Sequence, residues 1–164
     1  LGAMALRSDD VARLVAGQTD RLDLDPQALV FEISEAARLT TVQPVEQLRG
    51  LGVRVALDDL GLEYSNLDRL VEVDADIAKI ERSWLVAATS GDSRASSAIR
   101  HLVGLSHEFG LEVIIEGVET TEQLELARAL EAERVQGYLL GRPVAADVFV
   151  TIARYDVRNG AVVG

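Results

Sequence analysis

Residues 53–59 read Val53-Arg54-Val55-Ala56-Leu57-Asp58-Asp59. In an extended chain side chains alternate with a period of two, so Val53, Val55 and Leu57 share one face while Ala56 and Asp58 share the other. The branched residues suit a buried, pleated strand, and the acidic pair falls at its C-terminal end. The pattern recurs on both sides of this stretch. Leu29 to Ser34 (LVFEIS) sets Phe31 and Ile33 against Glu32, and Asp76 to Glu81 (DIAKIE) sets Ala78 and Ile80 against Lys79. Glu112 to Glu116 (EVIIE) sets Val113 and Ile115 against Ile114 and Glu116. Arg134 to Leu139 (RVQGYL) sets Val135 and Gly137 against Gln136. Asp59 reads as the turn after its strand.

Amphipathic segments separate these strands, around residues 42–51, 67–73, 96–109 and 122–130, with a further one over 145–155. An opening helix runs from Asp9, with Val11, Leu14 and Val15 on its inner face and Ser8 or Asp9 as cap. Asp25-Pro26 marks a turn, and Gly52 and Gly110 stand where a helix must stop before a strand, as left-handed C-terminal caps do. Strands alternating with helices through short loops predict a parallel sheet of the α/β class.

Composition narrows the function classes. The chain has 164 residues, 48% of them hydrophobic, which is one globular domain and too little for two. No run approaches the apolar length of a membrane span, and without cysteine neither disulfides nor thiolate zinc sites can form, in keeping with a cytoplasmic setting. A net charge of −11 with few aromatics argues against general nucleic-acid binding. A small anionic ligand remains compatible if carboxylates recruit divalent cations to neutralise it.

A single polar strand end is unremarkable, because such ends are often solvated. Here the polar residue of every strand falls near the C-terminal edge, where parallel sheets place ligands. Glu32, Asp58, Asp59, Lys79, Glu116 and Gln136 are therefore expected to converge there. Several carboxylates with one lysine make a hard-oxygen site that suits Mg²⁺, Mn²⁺ or Ca²⁺ better than zinc. Adjacent aspartates can bridge two ions, the usual arrangement for in-line phosphodiester hydrolysis, with Lys79 orienting water or touching phosphate. His101 and His107 fall on a helix away from that edge. Ser34 has no histidine partner for a serine triad, and Gly61 belongs to no phosphate-cradling motif.

The motifs together resemble the EAL domain, the bacterial cyclic-di-GMP phosphodiesterase module with a (β/α)₈ fold. Phe31-Glu32-Ile33-Ser34-Glu35 is similar to that family's E-hydrophobe-T-E strand, and Asp58-Asp59-Leu60-Gly61-Leu62-Glu63-Tyr64-Ser65-Asn66-Leu67 to its DDFGTGYSSL loop. Lys79-Ile80-Glu81-Arg82-Ser83 is similar to KIDRS, Ile115-Glu116-Gly117-Val118-Glu119-Thr120 to AEGVET, and residues 136–143 to QGYLFGRP. The resemblance implies that Glu32, Asp58, Asp59 and Glu116 are metal ligands in a two-metal Mg²⁺ or Mn²⁺ site. It further implies that Lys79 and Glu116 act in catalysis, that Glu35 anchors the loop after Asp59, that Glu119 is a supporting carboxylate and that Gln136 is a barrel-floor amide.

The same resemblance frames the expected organisation. Residues 1–8 read as an extension, 9–156 as an EAL-like domain and 157–164 as a tail. The domain is expected to be an incomplete TIM-type barrel, roughly the last five βα units, without the Glu-Ala-Leu strand and the strand carrying a metal-binding asparagine. Leu62 and Glu63 replace a small residue and a glycine, and Glu81 replaces an aspartate. The expected activity is hydrolysis of cyclic-di-GMP to linear pGpG, impaired by the missing strands. The alternative is a non-catalytic module that binds a protein partner or the dinucleotide. Uncovered sheet edges imply self-association or a partner chain.

Overall fold

In a computed structural model the described residues are 10–33, 43–61 and 70–145. The element order is α1 (Asp10–Leu22), a 3₁₀ turn (Pro26–Ala28), β1 (Val30–Ile33), α2 (Gln43–Gly50), β2 (Arg54–Leu60) and β3 (Ile77–Ile80), followed by α3 (Arg82–Thr89), α4 (Ser93–Glu108), β4 (Glu112–Ile115), α5 (Thr121–Ala129) and β5 (Arg134–Val135). The strands form one sheet in the order β1-β2-β3-β4-β5, every neighbouring pair parallel. This is the expected α/β architecture.

The core lies where the alternation put it. Ile33, Val55, Leu57, Ala78, Ile80, Val113 and Ile115 point to one face and are buried with Leu85, Ile99 and Val103 of the helices. Burying each of the valine, leucine and isoleucine side chains among them contributes about 1.5–3 kcal/mol. Helix starts are fixed locally. Asp92 caps α4 by accepting from the Arg94 and Ala95 amides, and Thr120 with Gln123 forms a capping box on α5. Gly52 and Gly110 adopt positive φ of 88° and 74° at the expected helix stops. Among the described residues no helix is long and apolar enough to cross a membrane.

Four local readings are corrected. Leu14 is 63% exposed rather than inward-facing. The inner stripe of α1 runs through Val11, Ala12, Val15 and Thr19, and at roughly 100° per residue Leu14 falls to its flank. Helix α3 was not foreseen: Glu81, read as the end of a strand, is its N-cap, its carboxylate accepting from the Ser83 amide at 2.6 Å. The last strand stops at Val135. Gly137 lies so close to the Val118 backbone that a Cβ would sit 2.1 Å from its carbonyl oxygen, and the Leu140 amide turns back onto the Gly137 carbonyl. Finally, Asp59 is part of β2 rather than of a turn. The segments expected at 67–69 and 146–155, with Ser8, Asp9, Ser34 and Glu35, fall outside the described residues.

Candidate functional site

Strand pairing brings the polar side chains together. Glu32 pairs with Ala56, two residues before Asp58; Ala56 pairs with Ile77, two before Lys79; and Lys79 pairs with Ile114, two before Glu116. Steps of two keep a side chain on one face, so Glu32, Asp58, Lys79 and Glu116 all project from the face opposite the main core. Glu112 and Arg134 share that face nearer the N-terminal end of the sheet, where Glu112 pairs with both Arg54 and Arg134.

Asp59 reaches the same place by a different device. Leu57 pairs with Ala78 and Leu60 with Ile80, so three steps along β2 match two along β3. This one-residue bulge breaks the alternation that would send Asp58 and Asp59 to opposite faces. Asp59 takes a left-handed backbone, φ 59°, which aspartate tolerates better than most residues. As a result, carboxylate oxygens of Asp58, Asp59 and Glu116 lie within 4.8 Å of one another.

Lys79 sits in the middle of this ring. Its Nζ is 2.7 Å from Glu32 Oε1, 2.9 Å from Asp58 Oδ1 and 2.8 Å from Glu116 Oε1, and its side chain is only 6% exposed. Burial pulls its pKa down, but the hydrogen bonds to Glu116 and Glu32, with the Asp58 contact, outweigh this and hold the ammonium above the ordinary lysine range. Glu116 moves upward: burial favours its neutral form, Lys79 opposes that, and the charges of Asp58 and Glu32 reinforce it. One buried ammonium against four carboxylates leaves the ring with an excess of negative charge.

That excess fits a divalent cation. Asp58 Oδ1 is buried with the Lys79 ammonium 2.9 Å away as its charge partner, and that one ammonium is shared with Glu32 and Glu116. Clustered carboxylates with a single shared counter-ion are costly to hold together unless a further cation joins them. The donor set is all oxygen, which suits hard ions.

The remaining site candidates separate. Glu32 belongs to the ring but is half exposed, 51%. Glu119 faces Arg82 instead, Nη2 to Oε2 at 2.7 Å. Arg82 stacks its aliphatic stem over Gly117, leaving no room there for a Cβ, and Gly117 has a positive φ of 69°, so the pair fixes the chain just after Glu116. Gln136 is exposed, and it is its backbone that joins β4, through the Ile115 carbonyl and the Val118 amide. His101 bonds the Ser97 carbonyl on α4 and His107 pairs with Glu133, both away from the ring. Sequence reasoning missed Arg82 and Trp84, and the signal for both was the unrecognised start of α3.

Comparison with known proteins identifies the family and the fold. The cyclic di-GMP phosphodiesterase NbdA of Pseudomonas aeruginosa is 34% identical over 140 residues, covering 82% of this chain and 17% of that protein. Among solved structures, the MucR phosphodiesterase of Pseudomonas aeruginosa in complex with c-di-GMP superposes with a TM-score of 0.81 at 30% identity, covering 91% of this chain and 62% of that one. The EAL domain of Mycobacterium smegmatis DcpA gives a TM-score of 0.87 at 28% identity, covering 94% and 71%. The chain spans about a fifth of the length of the curated relatives it matches. The EAL domain profile matches residues 1–143, and the chain belongs to the EAL domain family.

Proposed function

We propose that residues 9–156 form a divalent-metal phosphodiesterase domain that hydrolyses cyclic-di-GMP to linear pGpG. The observation that carries this reading is the convergence of Asp58, Asp59 and Glu116 within 4.8 Å beside the buried Lys79, at the C-terminal end of a parallel sheet. Glu32, Asp58, Asp59 and Glu116 would hold Mg²⁺ or Mn²⁺. When bound, such ions neutralise phosphoryl oxygens and make water acidic enough to attack phosphorus. Water adds at one phosphodiester, its P–O3′ bond breaks, and the products are a 5′-phosphate and a 3′-hydroxyl. Lys79 is fixed by three carboxylates, so its ammonium is oriented before substrate arrives and contributes positive charge without reorganisation. Glu116 fixes the Lys79 ammonium, 2.8 Å away, and would hold an ion beside it, which is its part in the reaction.

The test is incubation of the chain with Mn²⁺ or Mg²⁺ and cyclic-di-GMP, with chromatographic detection of pGpG. Turnover that disappears in Asp58→Ala supports the reading, and absence of product from a metal-loaded chain overturns it. Leu62 and Glu63, where the family carries a small residue and glycine, favour a second reading in which the domain binds the dinucleotide without cleaving it. Calorimetry showing binding with no pGpG would select that one. β1 and β5 are the outer strands among the described residues, and self-association through them is part of the proposal, read by light scattering.

A further inference from the structure

We propose that Trp84, the single tryptophan of the chain, is a positioning residue for the paired carboxylates of Asp58 and Asp59. This rests on the reading of those aspartates as metal ligands. Its indole Nε1–H donates to the Gly61 carbonyl at 3.2 Å, two residues beyond Asp59. The contact is built from both sides. Gly61 has φ 101°, and a Cβ there would lie 2.7 Å from Trp84 Nε1 and 2.8 Å from Leu102 Cδ1, so only glycine lets the ring close on the backbone.

The topology explains why this contact matters to the site. The bulge that turns Asp59 toward Asp58 is held on one side by the pairing of Leu57 with Ala78. On its other side it is held by Leu60 against Ile80, the last residue of β3, and then by Gly61 against Trp84. Glu81 caps α3 immediately after β3, so the strand that pairs with Leu60 also launches the helix that carries Trp84. The strained φ of Asp59 is retained only while both flanks are fixed. Releasing the Gly61 flank lets the bulge relax toward regular alternation, which moves the Asp59 carboxylate off the face that carries Asp58 and Glu116.

The experiment compares wild type with Trp84→Phe, which removes the N–H and keeps an aromatic ring. Site-resolved hydrogen exchange of residues 58–61 should accelerate while β4 amides keep their protection. Mn²⁺ affinity, read from the electron paramagnetic resonance signal of free Mn²⁺ without substrate, should weaken about fivefold, the size of one net hydrogen bond. Val15→Ala, a packing change on α1, which packs against α2, should lower the melting temperature and leave Mn²⁺ affinity unchanged. In wild type, Mg²⁺ should alter Trp84 emission, and Asp59→Asn should abolish that response. Wild-type Mn²⁺ affinity and unchanged exchange in Trp84→Phe would overturn the assignment. A wild type that binds no Mn²⁺ would overturn the metal reading on which it rests, while the exchange data would still decide whether Trp84 anchors the bulge.

Discussion

Asp58 and Asp59 are consecutive residues of one strand, yet their carboxylates meet on a single face, each within 4.8 Å of the other and of Glu116. The left-handed backbone of Asp59 makes this possible, and it separates the residue's two contributions. Asp59→Asn keeps a side chain that tolerates this backbone and should fold normally, with Mn²⁺ affinity reduced by a factor on the order of ten. Asp59→Val should destabilise the fold by about 1–3 kcal/mol, because a β-branched residue resists positive φ. Denaturant unfolding and Mn²⁺ titration of the two variants resolve these effects.

Lys79 is the counter-ion of the ring, so its removal leaves clustered carboxylates facing one another. Lys79→Met should cost about 3–5 kcal/mol in the absence of divalent ions, the usual loss on breaking a buried charge cluster. Millimolar Mg²⁺ should restore part of that loss by replacing the missing positive charge. Melting curves with and without Mg²⁺ measure both effects, and equal losses in the two conditions would contradict the account.

Glu116 carries the opposite sign of linkage. A carboxyl whose pKa is raised on folding stabilises the fold most at low pH, and that contribution is lost as pH rises through the folded value. At neutral pH its charge therefore opposes folding. Metal-free Glu116→Gln should melt at or above wild type at pH 7. Wild type with Mn²⁺ at a hundredfold excess over its dissociation constant should gain about 2.7 kcal/mol, or about 5–10 °C for a chain of this size. Glu116→Gln should lose that gain.

Glu133 offers a pH test away from the ring. Burial pushes its carboxyl upward, but the Val113 amide, its own amide and His107 more than compensate, and the pKa falls. A depressed carboxylate stabilises the fold above its unfolded pKa of about 4.3, and this is lost as pH falls through the lower folded value. Thermal stability should drop between about pH 4 and pH 3 in wild type, and the drop should be shallower in Glu133→Gln, measured by circular dichroism.

The face that carries Glu32, Asp58, Lys79 and Glu116 was legible in the sequence because strand alternation is a local rule obeyed by each strand separately. Asp59 was expected beside them from a turn, but the bulge that brings it there was not legible, because it is set by the mismatch of two strands, Leu57–Leu60 against Ala78–Ile80, and neither strand alone reveals it. Helix α3 was hidden by its eight-residue length and by Glu81, whose role as a cap is visible only once the Ser83 amide is located. The partner of Glu119 was hidden for a related reason: Arg82 stands on that same unrecognised helix. The motif resemblance named candidate residues, while their partners depended on three-dimensional register.

The register shift in β2 has a consequence for how such an edge can arise or vanish. A strand one codon shorter at this point would restore even spacing and leave only one aspartate beside Lys79, with every other amino acid intact. Insertion or deletion, as well as exchange of Asp59 itself, is then a route between a two-aspartate and a one-aspartate version of this sheet.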